Sequence, residues 1–179
     1  MLTGNDTING STGDDIIYYS AGSDVINAGT GNDWMSFSNS VYTNTVSVDL
    51  SLNKYTVQSS SGSTVSTITN VENIIGSINN DTLVGNSGNN IFIGGKGDDA
   101  INGGTGTDTV NYSLTAGVTV NLSTGTGAEL HTDLYTYSTD TLTSIENVIG
   151  SAFNDTITGN SSSNVLTGAA GNDTLDGGT

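Results

Sequence analysis

The chain has 179 residues, only 33% of them hydrophobic, and its two lysines face eighteen acids for a formal charge of −16. That balance excludes nucleic acid and anionic membrane surfaces as partners, and no apolar run is long enough to span a membrane. Cysteine is absent, so neither a disulfide framework nor a thiolate metal site exists.

Fifteen of the acids are aspartates and three are glutamates, Glu72, Glu129 and Glu146. A solubilising surface would mix the two. Short carboxylates set among 25 glycines point instead to cation ligation in tight turns. Such a polar composition also suits a disordered chain. The strict repeat along the sequence argues for order when cations are present.

The first block, residues 1–36, carries aspartate every nine residues, at Asp6, Asp15, Asp24 and Asp33. Two places after each comes a large apolar residue: Ile8, Ile17, Ile26 and Met35. The unit reads Gly-Gly-x-Gly-x-Asp followed by a minimal strand whose middle residue faces inward. Trp34, Phe37, Tyr18 and Tyr19 gather at the end of this block and read as packing at its boundary, with an aromatic sugar platform as the alternative.

A spacer over 37–75 follows, with alternating strands such as Val46-Ser-Val-Asp-Leu50. The second block, 76–111, repeats the unit with Asp81, Asn90, Asp99 and Asp108 at the sixth position and Leu83, Phe92, Ile101 and Val110 at the eighth. A second spacer, 112–149, resembles the first. Ile68-Thr-Asn-Val-Glu-Asn-Ile-Ile-Gly-Ser77 matches Leu142-Thr-Ser-Ile-Glu-Asn-Val-Ile-Gly-Ser151. The third block, 150–179, has Asp155, Asn164 and Asp173, with Ile157, Leu166 and Leu175. A period this strict predicts an all-β, right-handed parallel β-roll running through 1–179, two nonapeptides per coil. Each spacer is expected to add about two coils with wider turns at the strand spacing of a parallel stack. Gln58–Ser63 and Ser123–Ser138 read as loops.

Stacking decides the candidate sites. Calcium takes six to eight oxygens, more than one turn offers, so turns eighteen residues apart must share an ion. The expected pairs are Asp6 with Asp24, Asp15 with Asp33, Asp81 with Asp99, Asn90 with Asp108, and Asp155 with Asp173. Asn90 brings no charge to its pair, and Asn164 has no complete partner. Without cation the stacked carboxylates repel and the glycine-rich turns lose much entropy on folding. At ~10 mM calcium and a Kd of ~1 mM, each site would contribute about 1.4 kcal/mol. Five would contribute on the order of 7 kcal/mol, comparable to a domain's whole stability. The chain is therefore expected to fold on binding about five calcium ions.

The units resemble the RTX (repeats-in-toxin, hemolysin-type) calcium-binding nonapeptide. That resemblance implies a parallel β-roll in which backbone carbonyls join the aspartates. Around Asp81 and Asp99 these would come from Ser77, Asn79, Gly94 and Lys96. Around Asp15 and Asp33 they would come from Ser11, Gly13, Ala28 and Thr30, and around Asp6 and Asp24 from Gly4 and Ala21. Gly88, Gly103 and Thr105 would serve the Asn90 pair, and Ser151, Phe153, Gly168 and Ala170 the Asp155 pair. Asn79 and Phe153 replace the usual fourth-position glycine, so those turns are expected to be distorted. The resemblance also implies a secreted or cell-surface location, as part of a larger secreted protein. The usual C-terminal secretion tail is absent, so the chain reads as a fragment or processed module.

Other features are read as structural. Glu72 and Glu146 look like polar ladder residues at a coil corner, with extra cation ligation as the alternative. Glu129, His131 and Asp133 alternate on one strand, as a transition-metal site would, but the segment reads as a solvated loop. A Ser-His-Asp triad would have to use His131, and no Gly-x-Ser-x-Gly elbow exists, so no enzyme is expected. Strand-flanking threonines such as Thr7, Thr109 and Thr156 suggest a polysaccharide- or ice-binding face, broken by Ile16, Tyr18, Ile91 and Ala100. Finally, Gly177-Gly-Thr179 followed by Gly4-Asn-Asp6 would rebuild one nonapeptide, so head-to-tail self-association into an extracellular filament or surface layer is a further expectation.

Overall fold

The computed structural model describes residues 4–40, 44–131 and 137–179. Every nonapeptide yields one short strand centred on its eighth position. In the first block these are β1 (Thr7–Asn9), β2 (Ile16–Tyr18), β3 (Val25–Asn27) and β4 (Trp34–Ser36). The first spacer gives β5 (Thr45–Asp49), β6 (Lys54–Ser59), β7 (Gly62–Thr69) and β8 (Asn73–Ile75). The second block gives β9 (Thr82–Val84), β10 (Ile91–Ile93), β11 (Ala100–Asn102) and β12 (Thr109–Asn111). Next come β13 (Val118–Asn121), β14 (Thr126–Leu130), β15 (Tyr137–Thr143) and β16 (Asn147–Ile149) of the second spacer. The last three are β17 (Thr156–Thr158), β18 (Leu166–Thr167) and β19 (Thr174–Asp176).

Successive nonapeptide strands alternate between two sheets, and strands eighteen residues apart pair in parallel: Ile8 opposite Ile26, Leu83 opposite Ile101, Ile157 opposite Leu175. This is a parallel β-roll. One sheet has twelve described strands, in the order β1-β3-β7-β6-β5-β9-β11-β15-β14-β13-β17-β19. The other has seven, in the order β18-β16-β12-β10-β8-β4-β2. The eighth-position residues fill the interior between them. Ile26, Met35, Leu83, Phe92, Ile101, Val110 and Ile157 are buried, whereas Leu175, on the outermost strand β19, is exposed.

The spacers depart from the expected pair of parallel coils. Each lays a three-strand antiparallel meander into the long sheet and a single strand into the short one. In the first, β7 pairs in parallel with β3 and β5 with β9, while β6 runs antiparallel between them. The second repeats this with β15, β14 and β13. Alternating Val/Ser/Thr sequences make good strands of either sense, so the period of nine could not forecast an antiparallel return. Gln58–Ser63 is accordingly no loop but a hairpin closing at Ser59 and Gly62. Of the described residues in Ser123–Ser138, most are likewise strand, namely Thr126–Leu130 and Tyr137 with Ser138, and 132–136 lie outside the described residues.

Each meander adds strands to one sheet without matching strands opposite, and aromatic side chains fill the space. Tyr55 on β6 is fully buried against Tyr19 and Phe37, with ring centroids 6.4 and 5.0 Å away. The register aligns Tyr55, between Val48 and Ser66, with Gly127, between Val120 and Asp140. A Cβ on Gly127 would strike the hydroxyl of Tyr112, the residue that follows the second block as Phe37 follows the first. The second spacer thus fills the same space from the other wall. Of the aromatic residues expected at the boundary, Tyr19 and Phe37 pack inside, and Tyr18 is exposed on the outer face of the short sheet.

Candidate metal sites in the stacked turns

The turns between strands form two columns, one leading into each sheet. Within a column, the first sixth-position residue of each pair donates its backbone N–H to the side chain eighteen residues on. Asp6 donates to Asp24 Oδ1 at 3.0 Å, Asp15 to Asp33 at 2.8 Å, and Asp81 to Asp99 at 2.8 Å. Asn90 donates to Asp108 at 2.8 Å and Asp155 to Asp173 at 3.0 Å. The five expected pairs are therefore brought together. A second ladder runs the opposite way at the fifth position. There Asn5, Asp14, Asn80, Asn89 and Asn154 each accept the N–H of the residue eighteen further on.

The turns differ in what happens to the second carboxylate oxygen. Where the second residue of the turn has φ > 0, its N–H is rotated away from the aspartate. Ser11, Gly29, Gly95 and Gly104 adopt that conformation, each followed two residues on by a left-handed glycine. In those turns Asp15, Asp33, Asp99 and Asp108 each leave Oδ2 buried with no hydrogen-bond partner. Where the second residue is Ser77 or Ser151, its N–H donates to Oδ2 and its hydroxyl to Oδ1 of Asp81 or Asp155. These are the turns in which Asn79 and Phe153 replace glycine, so the distortion expected from the sequence takes the form of a self-capped aspartate. Asp24 is satisfied differently, by Ser20 at 3.3 Å and the Tyr55 hydroxyl at 3.2 Å.

Orphaned buried carboxylate oxygens are costly unless a cation or proton meets them. Among the described residues no group of three His, Asp or Glu side chains is disposed to hold a metal. A turn-pair site must therefore draw on backbone carbonyls, and hard oxygen donors of both kinds suit calcium. Several expected carbonyls do point at the neighbouring turn. Those of Ser11, Gly13, Ala28, Ser77, Gly94, Gly103, Gly88 and Phe153 lie where a Cβ on the stacked glycine would collide, and so does that of Gly4. Ser11 O also accepts the Thr30 N–H at 3.1 Å and Ser77 O that of Lys96 at 3.3 Å. Ala21 O and Thr30 O accept from Gly4 and Gly13, both at 2.9 Å. Asn79 flanks Gly97, Gly168 O lies near Gly150, and the Thr105 N–H donates to Asn86 O, a carbonyl absent from the sequence expectation.

Electrostatics sharpen the picture. Burial pushes Asp81 up to about 6, against N–H donors from Ser77 and Val46. Burial does the same to Asp108, with Glu146 adding repulsion. Asp99 is pushed up to about 9 by burial and then by the nearby charge of Asp140. Glu129 rises to about 8 through burial and the same neighbour, and Asp140 to about 6 through burial. The metal-free roll therefore holds these five acids partly protonated, a state that a cation would replace.

Several residues play parts that the repeat did not reveal. Asp140 accepts the Asp99 N–H at 3.0 Å, continuing the column into the meander, and takes the Tyr112 hydroxyl at 2.9 Å. Asn90 and Asn164 donate Nδ2 to Glu72 O and Glu146 O at 2.7 and 2.8 Å, which an aspartate could not do. The Glu129–His131 segment is buried and not a solvated loop: Ser138 Oγ lies 2.7 Å from His131 Nε2 and donates to Glu129 at 2.9 Å. Asp133 lies outside the described residues.

Parallel strands, a thin interior and paired acidic turns define a repeat module built around cation-binding turns. The family model described as RTX calcium-binding nonapeptide repeat (4 copies) matches residues 2–35, 75–110 and 149–179, more than half of the chain. The chain belongs to that family. A comparison with curated proteins finds no match.

Proposed function

We propose that the chain is a calcium-folded structural module of a secreted or cell-surface protein, serving as a stalk, spacer or folding nucleus. The observation that carries this reading is the set of buried, unpartnered Oδ2 atoms on Asp15, Asp33, Asp99 and Asp108. Calcium would be held by two sixth-position side chains and the carbonyls between them, at about five turn pairs. Glu129, His131 and Ser138 serve here as a buried hydrogen-bonded group that supports the meander. Small-angle scattering tests the reading. Calcium should collapse the chain from a radius of gyration of about 45 Å toward roughly 16–20 Å, and magnesium at equal concentration should not. A compact chain in chelator near neutral pH would overturn it.

A second reading, recognition of a polysaccharide or ice, gains from one feature. The outer face of the long sheet collects exposed Thr7, Thr67, Thr82, Thr119, Thr141 and Thr156, whereas Ile16, Tyr18 and Ile91 belong to the short sheet. Of the residues expected to break the array, Ala100 is on the threonine face. Glycan-array binding at constant calcium separates this reading from the first.

A further inference from the structure

The column leading into the short sheet does not end where the nonapeptides end. The Asp33 N–H donates to Glu72 Oε2 at 2.9 Å, and the Asp108 N–H donates to Glu146 Oε2 at 2.8 Å. In return Glu72 N donates to Asp33 O at 3.2 Å and Glu146 N to Asp108 O at 3.1 Å. The first contact is the one a sixth-position aspartate makes with its neighbour in the stack. The stack's backbone bond is kept as well, because the residue after each glutamate, Asn73 or Asn147, donates its N–H to Asp33 O or Asp108 O at 2.9 and 2.8 Å. Yet the corner is shorter than a nonapeptide turn: residues 70–72 lie between β7 and β8, where residues 103–108 lie between β11 and β12. The extra methylene of glutamate spans the difference.

The corner reproduces the rest of the turn as well. Asn70 and Ser144, two residues before each glutamate, are both left-handed, with φ of 56° and 51°. Ser144 O lies against Gly103 as Gly94 O lies against Gly76 and Gly103 O against Gly85, so it occupies the place of a first-position carbonyl. Asp33 and Asp108 are fully buried, and each has an Oδ2 without a partner. The glutamate acceptor, the backbone bonds to the aspartate carbonyl and the left-handed residue two before the glutamate recur at both corners, so they are a built feature of the roll.

We propose that Asp33 with Glu72, and Asp108 with Glu146, hold two further calcium ions, closing each column onto its spacer. The inference rests on the calcium reading above but is separable from it. A ladder role alone would need only a hydrogen-bond acceptor at the corner, which glutamine supplies as well as glutamate. An ion needs the charge. The corner glutamates would then make each spacer fold with the block before it.

The test is anomalous diffraction from the calcium-loaded full chain, with ion counting on the wild type and on Glu72→Gln/Glu146→Gln. The expected result is an ion about 2.3–2.6 Å from both carboxylates at each corner, and two fewer ions per chain in the double variant. Ions in the turn pairs but none at the corners, or an unchanged count in the variant, would overturn this inference and leave the calcium module standing. No bound calcium anywhere would overturn both. Should the variant fail to fold, the wild-type anomalous map decides.

Discussion

The backbone N–H of Asp15 donates to Asp33 Oδ1 at 2.8 Å, while the Oδ2 atoms of both residues are buried without partners. Of the five turn pairs, this one has both members with the second carboxylate oxygen free, because Ser11 and Gly29 are both left-handed. It should bind calcium first. Asp15→Asn removes a charge but keeps an acceptor, and should weaken the tightest calorimetric site by about tenfold or more, since ligand charge sets affinity. An unchanged tightest site would place the strongest ion elsewhere.

Asn90 donates to Glu72 O and accepts from Asn86 N, so its turn is locked without metal. Asn90→Asp loses the donor and adds a charge. Metal-free stability should fall by about 1–3 kcal/mol, while the calcium dependence of the melting temperature should steepen. Thermal unfolding in chelator at pH 4, where the metal-free roll is most stable, and in calcium near neutral pH measures both.

Acidity should act on the metal-free roll with a definite sign. Asp81, Asp108 and Asp140 are raised to about 6, Glu129 to about 8 and Asp99 to about 9. The folded state therefore binds more protons than the unfolded chain above about pH 4. Stability without calcium should be greatest near pH 4 and should decline as pH rises through 6 and on toward 9. Calcium affinity should rise over the same range, because ions displace those protons. Circular dichroism in chelator at pH 4 and pH 8 checks the first point; equal strand content at the two pH values would contradict it.

Gly127→Ala places a methyl group against the Tyr112 hydroxyl and ring. Overpacking of this kind costs about 1–3 kcal/mol. The double change Gly127→Ala with Tyr112→Phe removes the clashing oxygen and should recover part of that loss. Absence of recovery would show that the clash lies with the ring.

The pairing of turns was legible in the sequence because a fixed period of nine leaves one way to stack. Asp81 meets Asp99 for that reason alone. Which turns keep a free oxygen was less legible. Ser11 and Ser77 occupy the same position, yet Ser11 is left-handed and precedes Gly13, while Ser77 precedes Asn79 and caps Asp81. The spacers hid most. Their alternating strands fit parallel and antiparallel pairing equally, and the meander brings Asp140 to Asp99 across 41 residues without any periodic signal. The matched Glu72 and Glu146 were visible as a pair, but only the shortened corner shows why each is a glutamate and not an aspartate.

The central claim is that calcium completes this fold. Circular dichroism of the full chain, recorded in chelator and then through a calcium titration, tests it most directly. The expected result is a largely unfolded spectrum in chelator near neutral pH and a cooperative gain of β-structure as calcium is added. A strand spectrum already complete in chelator, unchanged by calcium, would contradict it.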